Sequence, residues 1–378
     1  MGLVAAFSTV VTLAAPTMLA SSPSPATPAA LIRDKQWHLA YLRATEAQKV
    51  SRGSGVIVAV PDTGVDPHPD LRNNLLPGKD TIPGGVGDGR RDLDSHGTSM
   101  AGLIAAHGQG GNSGALGIAP EAKILPIFDS PPGGNGEPDD LAQGIEFAIA
   151  NGADVISISS VGSSSSRLRQ AVRAARESNI VIVAGVGNLP RDQTIGYPAS
   201  EEGVIAVGGI GRDGLHAAIS VTGPRVDVAA PAVDIYSTSY DGKYSKGTGT
   251  SSATAIVAGA AALIRSKYPH LPAREVAHRL TATAIDKGAP GRDDEYGYGV
   301  IDLVAALTAD VPPLGFESVT ASAGAGPTTA VAQPGGDEGA ATARGLATLG
   351  VILAAGVGWA VVARRRRRGD DPPPRISR

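Results

Sequence analysis

Residues 56–66 read VIVAVPDTGVD. The run VIVAV has no polar alternation, which describes a strand covered on both faces. Asp62 and a Thr-Gly turn follow it directly. Further out, the same kind of short apolar run recurs at 123–128 (KILPIF), 154–159 (DVISIS), 180–184 (IVIVA) and 204–207 (VIAV). Helical patterns lie between and after them, at 100–106, 138–151, 166–178, 251–267 and 273–283. Strands alternating with helices predict an α/β fold, three-layered, with a mainly parallel sheet between helices. In an open sheet of this kind a site sits at the carboxyl ends of the strands, which is where Asp62 falls.

Composition sets outer limits. The chain has 378 residues, 42% apolar and 18% charged, which excludes a wholly disordered polymer. Lys+Arg number 33 and Asp+Glu 36, a net charge of −3 that argues against nucleic acid as a partner. There is no cysteine, so disulfides, thiolate metal sites and a cysteine nucleophile are excluded.

The two ends differ from the middle. Residues 345–363 (GLATLGVILAAGVGWAVVA) carry no charge, and Arg364–Arg368 follow at once. At 1.5 Å per residue they span about 28 Å, close to the roughly 30 Å of a hydrocarbon core. A buried core helix is the other reading, disfavoured by five consecutive arginines. A membrane helix at 345–363 is expected, with the basic tail 364–378 cytoplasmic and all that precedes it outside. Residues 1–30 read as a signal peptide and its cleavage region, although no Lys or Arg precedes Arg33; a mature anchor is the alternative. Residues 312–344, rich in Gly, Ala, Thr and Pro, read as a flexible linker. That leaves 31–50 as an N-terminal extension, packed on the main domain through Trp37, Leu39 and Leu42, and 51–311 as that domain.

Three stretches carry chemistry. Asp62 ends the first strand, His96 opens a helix in DSHGTSMAGLIAA (94–106), and Ser251 opens another in GTGTSSATAIVAGAAALI (247–264). A serine hydroxyl needs a base to take its proton, and the base needs a carboxylate to hold its tautomer. Asn188, closing VIVAGVGN (181–188), offers an amide to a developing oxyanion. Singly these are a helix cap, a surface histidine and a turn. DTG is also an aspartic-protease signature, but that chemistry needs two such lobes and the chain has one DTG.

Taken in the order Asp, His, Asn, Ser, with PHPDL (67–71), ALGIAP (115–120), GYPAS (196–200) and VDVAAPAVDIYST (226–238), the chain resembles the subtilisin-like serine proteases, the subtilases. Residues 33–66, RDKQWHLAYLRATEAQKVSRGSGVIVAVPDTGVD, resemble the start of the mycosins, subtilases tied to type VII secretion. The resemblance implies a subtilisin-like fold and a membrane-anchored extracellular endopeptidase that processes a narrow set of exported polypeptides beside a type VII secretion membrane complex. It implies Asp62 as orienting acid, His96 as general acid/base, Ser251 as nucleophile, and Asn188 with Ser251 N–H as oxyanion donors. It also implies Ser159, Ser160, Val161, Gly162, Ala184 and Gly185 as substrate-binding, the peptide pairing beside 159–162. No cofactor or metal is expected. The rival function is a stabilising component of the secretion complex with little proteolysis.

Departures from the family pattern are Ser252 and Ala255, where Met and Pro are usual, and Val161, where Gly is usual. Asp88, Asp92 and Asp94 lack EF-hand spacing. Asp70 matches a calcium-ligating position of some subtilases, with little beyond Asn112 to complete it, and all four carboxylates read as solvated turn residues. Arg167, Arg169, Arg173 and Arg176 read as a solvated helix face.

Overall fold

The computed structural model describes residues 29–133 and 136–315. The expected signal peptide, most of the linker, the span and the tail lie outside the described residues. Three short helices come first: α1 (Ala29–Lys35), α2 (Trp37–Tyr41) and α3 (Ala44–Ala47). The body follows as β1 (Ile57–Asp62), β2 (Lys79–Asp80), α4 (His96–Ala105), β3 (Lys123–Phe128), α5 (Pro138–Ala150), β4 (Val155–Ile158), α6 (Ser166–Glu177), β5 (Val181–Gly185) and β6 (Ile205–Ile210). It closes with β7 (Val228–Pro231), β8 (Ile235–Thr238), β9 (Tyr244–Gly247), α7 (Thr250–Lys267), α8 (Ala273–Ala282) and α9 (Leu303–Thr308).

Seven strands form one sheet in the order β2-β3-β1-β4-β5-β6-β7, and each neighbouring pair is parallel. β1 lies between β3 and β4, so the chain leaves it toward one side of the sheet and later builds the other. Connections that diverge in this way open a crevice at the carboxyl ends. β8 and β9 form a separate antiparallel hairpin.

The absence of alternation in the strands is explained by burial on both sides. Val58, Val60, Val155, Val181, Val183 and Val207 face a core shared with α4 and α7. Ala59, Leu125, Ile127, Ile156, Ile182 and Ala206 face a second core shared with α5 and α6. α7 is buried from Ser252 to Arg265, so its Ala/Ile/Val sequence is apolar all round, as a helix crossing the middle of a domain requires. α6 is two-faced: Leu168, Ala171, Val172 and Ala175 are buried at helical spacing, and Ser165 caps it by accepting from Leu168 N at 3.0 Å.

The N-terminal extension joins the first of these cores. Ile32, Trp37, Leu39, Leu42, Ala44 and Ala47 are buried in it. Trp37 Nε1 donates to Val233 O (3.1 Å), Gln36 exchanges bonds with Leu116, and Gln48 Nε2 donates to Gly117 O and Ile118 O. Among the described residues, no helix is long and apolar enough to cross a membrane.

Candidate active site

Asp62 is the last residue of β1 and His96 the first of α4. The imidazole Nδ1 lies 2.7 and 2.9 Å from the two Asp62 oxygens, and Thr63 N donates to the same carboxylate at 2.7 Å. The contact needs the helix end to sit hard against the strand end. Gly97 permits it, since a Cβ there would overlap the Gly64 carbonyl. Asp62 is buried, whereas the His96 side chain is 37% exposed and faces the cleft. Burial is the strongest influence on the imidazole and pulls its pKa down. Asp62, through charge and hydrogen bond, and then Asp94 and Asp92, outweigh it, and the net direction is up.

Sequence reasoning missed the brace behind this pair. Asp92 is buried, not solvated, and its Oδ1 accepts from Thr63 Oγ1 (3.0 Å), Asp94 N (2.9 Å) and Ser95 N (3.0 Å). Its Oδ2 accepts from Thr98 N (2.9 Å) and Thr98 Oγ1 (2.6 Å). One carboxylate thus ties the end of β1 to the first turn of α4, where anionic charge also suits the helix dipole. Ser95, just before His96, takes φ +85°, and Ser239 Oγ donates to its Oγ at 2.9 Å. The spacing D-L-D-S-H gave no signal that the first acid points inward.

Ser251 is the second residue of α7, so its N–H lies in the first turn and has no intrahelical acceptor. Its Oγ donates to Ser159 O at 3.1 Å, at the end of β4, and His96 is not its partner in this structure. Asn188 lies three residues beyond β5. Its Oδ1 accepts from Thr250 N at 2.8 Å, which leaves the amide NH₂ for another acceptor. A cleft of about 610 Å³ is lined by Asp62, His96, Ser251, Asn188, Ser159 and Ser160 among others. Ser252, where the family usually has Met, lines this cleft as well.

The remaining substrate-binding expectations divide. Ala184 and Gly185 do not line the cleft. They are interior residues of β5, Ala184 in the core under α5 and α6, and Gly185 against Thr250 and Thr254 of α7. Gly162 N–H and C=O bond Tyr197 O and N at 3.1 and 3.2 Å in this structure. Val161 is buried against Gly196 and lines a side cavity with Ser160 and Gly162.

Asp70 corrects the solvated-turn reading too. It is fully buried, and its oxygens accept from Gln109 Nε2 (2.8 Å), Ala115 N (2.7 Å) and Tyr244 OH (2.9 Å). Burial and this hydrogen bond push the Tyr244 phenol pKa upward. Asp88 is half-buried and bonded to Arg90, and Asp94 accepts from Gly133 N. Among the described residues no cluster of three or more His, Asp or Glu has metal-binding geometry.

A parallel three-layer sheet with a serine, a carboxylate-bound histidine and an asparagine at its carboxyl edge defines a serine peptidase of the subtilisin architecture. The Subtilase family model matches residues 53–299. The chain is 34% identical over 398 residues to Mycosin-1 of Mycobacterium tuberculosis, covering 90% of this chain and 87% of that one. It is 40% identical over 260 residues to subtilisin DY of Bacillus licheniformis, covering 68% and 92%. Among solved structures, MycP1 from the ESX-1 type VII secretion system matches with a TM-score of 0.67 at 32% identity, covering 76% of this chain and 90% of that one. The MycP3 protease from the type VII (ESX-3) system matches with a TM-score of 0.63 at 35% identity, covering 72% and 88%. The chain belongs to the subtilase family and is a serine endopeptidase, similar within that family to the mycosins.

Proposed function

We propose that this endopeptidase works by an Asp62–His96–Ser251 triad, tethered to the outer face of the cell membrane and acting on exported polypeptides beside a type VII secretion complex. The observation that carries the mechanism is the 2.7 Å Asp62–His96 contact in the same cleft as Ser251 and Asn188. The mechanism requires the Ser251 side chain to rotate away from Ser159 O and hand its proton to His96 Nε2 across the shared cleft. The hydroxyl then attacks the peptide carbonyl as His96 takes its proton, and Asp62 stabilises the imidazolium. The Asn188 amide and the Ser251 N–H hold the oxyanion. His96 returns the proton to the leaving amine, and water then deacylates Ser251. Ser160 and Val161 remain for backbone pairing with an extended substrate. The apolar stretch 345–363 and its Arg-rich flank support the tether, and similarity to mycosins supports the location and partner.

The test is active-site labelling with hydrolysis. Wild-type protein should take a fluorophosphonate on Ser251, and Ser251→Ala should lose label and peptide hydrolysis together. Asn188→Ala should reduce kcat by about 10²–10³, the cost of one oxyanion donor. Hydrolysis that survives Ser251→Ala refutes the mechanism.

A further inference from the structure

Where β5 and β6 begin, at the opposite end of those strands from the cleft, lies a second cavity of about 590 Å³ that shares no residue with it. Buried Val181, Ile182, Val204 and Ile205 line it, with Ala273 and Ala277 of α8. Tyr298 and Leu314 line it too, although they are 46% and 49% exposed. Its α8 side is pinned, for Leu314 N donates to Glu275 at 3.2 Å and His278 Nε2 bonds Pro312 O at 3.1 Å.

Four arginines join this apolar lining from three places: Arg173 and Arg176 on α6, Arg225 ahead of β7 and Arg274 on α8. Arg167, earlier on α6, pairs with Glu146 at 2.7 Å, whereas Arg173 and Arg176 pair with no described residue. Arg225 donates to Glu201 O at 2.8 Å, but its Nε is buried and has no described acceptor. Arg274 comes no nearer than 3.9 Å to Glu275. Two acids line the cavity, exposed Glu177 and half-buried Asp227, and Asp227 Oδ2 already accepts from Ala206 N at 2.9 Å.

Exposed apolar groups gathered in a concavity mark a binding site. Arginine is enriched where binding energy concentrates, and a buried donor without an acceptor is costly. The apolar lining calls for an apolar side chain, and the guanidiniums call for carboxylates. Two acids among the arginines make a dense polyanion a poor fit. We propose that this cavity docks an acidic peptide segment of another polypeptide, an apolar side chain flanked by Asp or Glu. The apolar side chain packs on Val204 and Ala277, and the flanking carboxylates meet Arg173, Arg176 and Arg225. The docked segment lies at the amino ends of the strands and Ser251 at the carboxyl side, so a polypeptide held here leaves the cleft open.

Fluorescence anisotropy tests this with full-length Ser251→Ala protein in detergent, which spares the probe from cleavage. A fluorescein-labelled peptide GSEDLFDESG should bind saturably, and GSQNLFNQSG, without its charges, should bind about tenfold more weakly or not at all. Raising ionic strength from about 0.1 to about 1 M should weaken binding, as the screening length falls from about 10 to about 3 Å. Arg173→Glu with Arg176→Glu should weaken it about tenfold or more, since like charges then face each other. Ala277→Trp should do the same by filling the apolar part. In protein that keeps Ser251, both variants should take the fluorophosphonate as wild type does, which shows them folded; if the double variant is not, Ala277→Trp and the salt series carry the test. Absence of peptide binding overturns the proposal, as does binding unchanged by the variants. So does oleate binding in place of the peptide, which would make the site a lipid one, or a dimer of this chain that the double variant dissociates.

Discussion

His96 can serve as a base only when neutral, so activity should rise with pH through an imidazole pKa lying above its ordinary value. Part of that elevation comes from Asp94, an exposed residue at the cleft. Removing its charge favours the neutral imidazole. Asp94→Asn should therefore move the acid limb of kcat/KM toward lower pH. The displacement should shrink in high salt, because exposed charges are screened. A pH profile at two ionic strengths checks both, and an acid limb moving upward contradicts the assignment. Asp62, His96, Asn188 and Ser251 could be picked out beforehand because each follows or opens an element whose pattern is strong. Ala184 and Gly185 could not be sorted from cleft residues in that way. Adjacency along β5 does not say where the strand ends and the cleft begins, and both lie inside the layers.

Among the elements, the long apolar runs were readable and the polar ones were not. KILPIF is β3 residue for residue, while the hairpin of β8 and β9, YSKG in its second strand, has no apolar run to announce it. The start of α4 is read from the place of His96 and not from periodicity. His-Gly-Thr-Ser lacks apolar periodicity, and its helical course follows from the Asp92 brace, a contact made by tertiary placement. Ser237 and Thr238 of β8 donate to the carbonyls of Ser99 and Thr98, so the unforeseen hairpin fixes the helix that carries His96. The α1–α3 segment is packed into the first core through Ile32, Trp37, Leu39 and Leu42. Trp37→Ala should cost about 3–5 kcal/mol, the usual range for emptying a buried aromatic site. Denaturant unfolding of the variant measures it; a loss well under 1 kcal/mol would mean the segment is loosely held.

At the scale of the molecule, the catalytic crevice lies at the carboxyl end of the sheet, on a domain that the proposed span would hold near a membrane. The tethered reading has a direct consequence for accessibility. Protease added to intact cells should cut within 316–344 and release an active fragment, while an epitope after Arg378 should stay protected. An epitope reached from outside would reverse the orientation inferred from Arg364–Arg368.

The stitching of the amino terminus into the core also sets an order of events. Gln36 bonds to Tyr236 O, 200 residues away, Ser51 to Leu263 O, 212 away, and Arg43 to Asp302, 259 away. A segment synthesised early is thus among the last able to complete its contacts. At the roughly 5–20 residues per second of synthesis, it waits on the order of ten seconds to a minute for its partners to exist. Closures this distant are slow in themselves. The last of these contacts, Arg43 with Asp302, closes only once nearly all of the domain has been made.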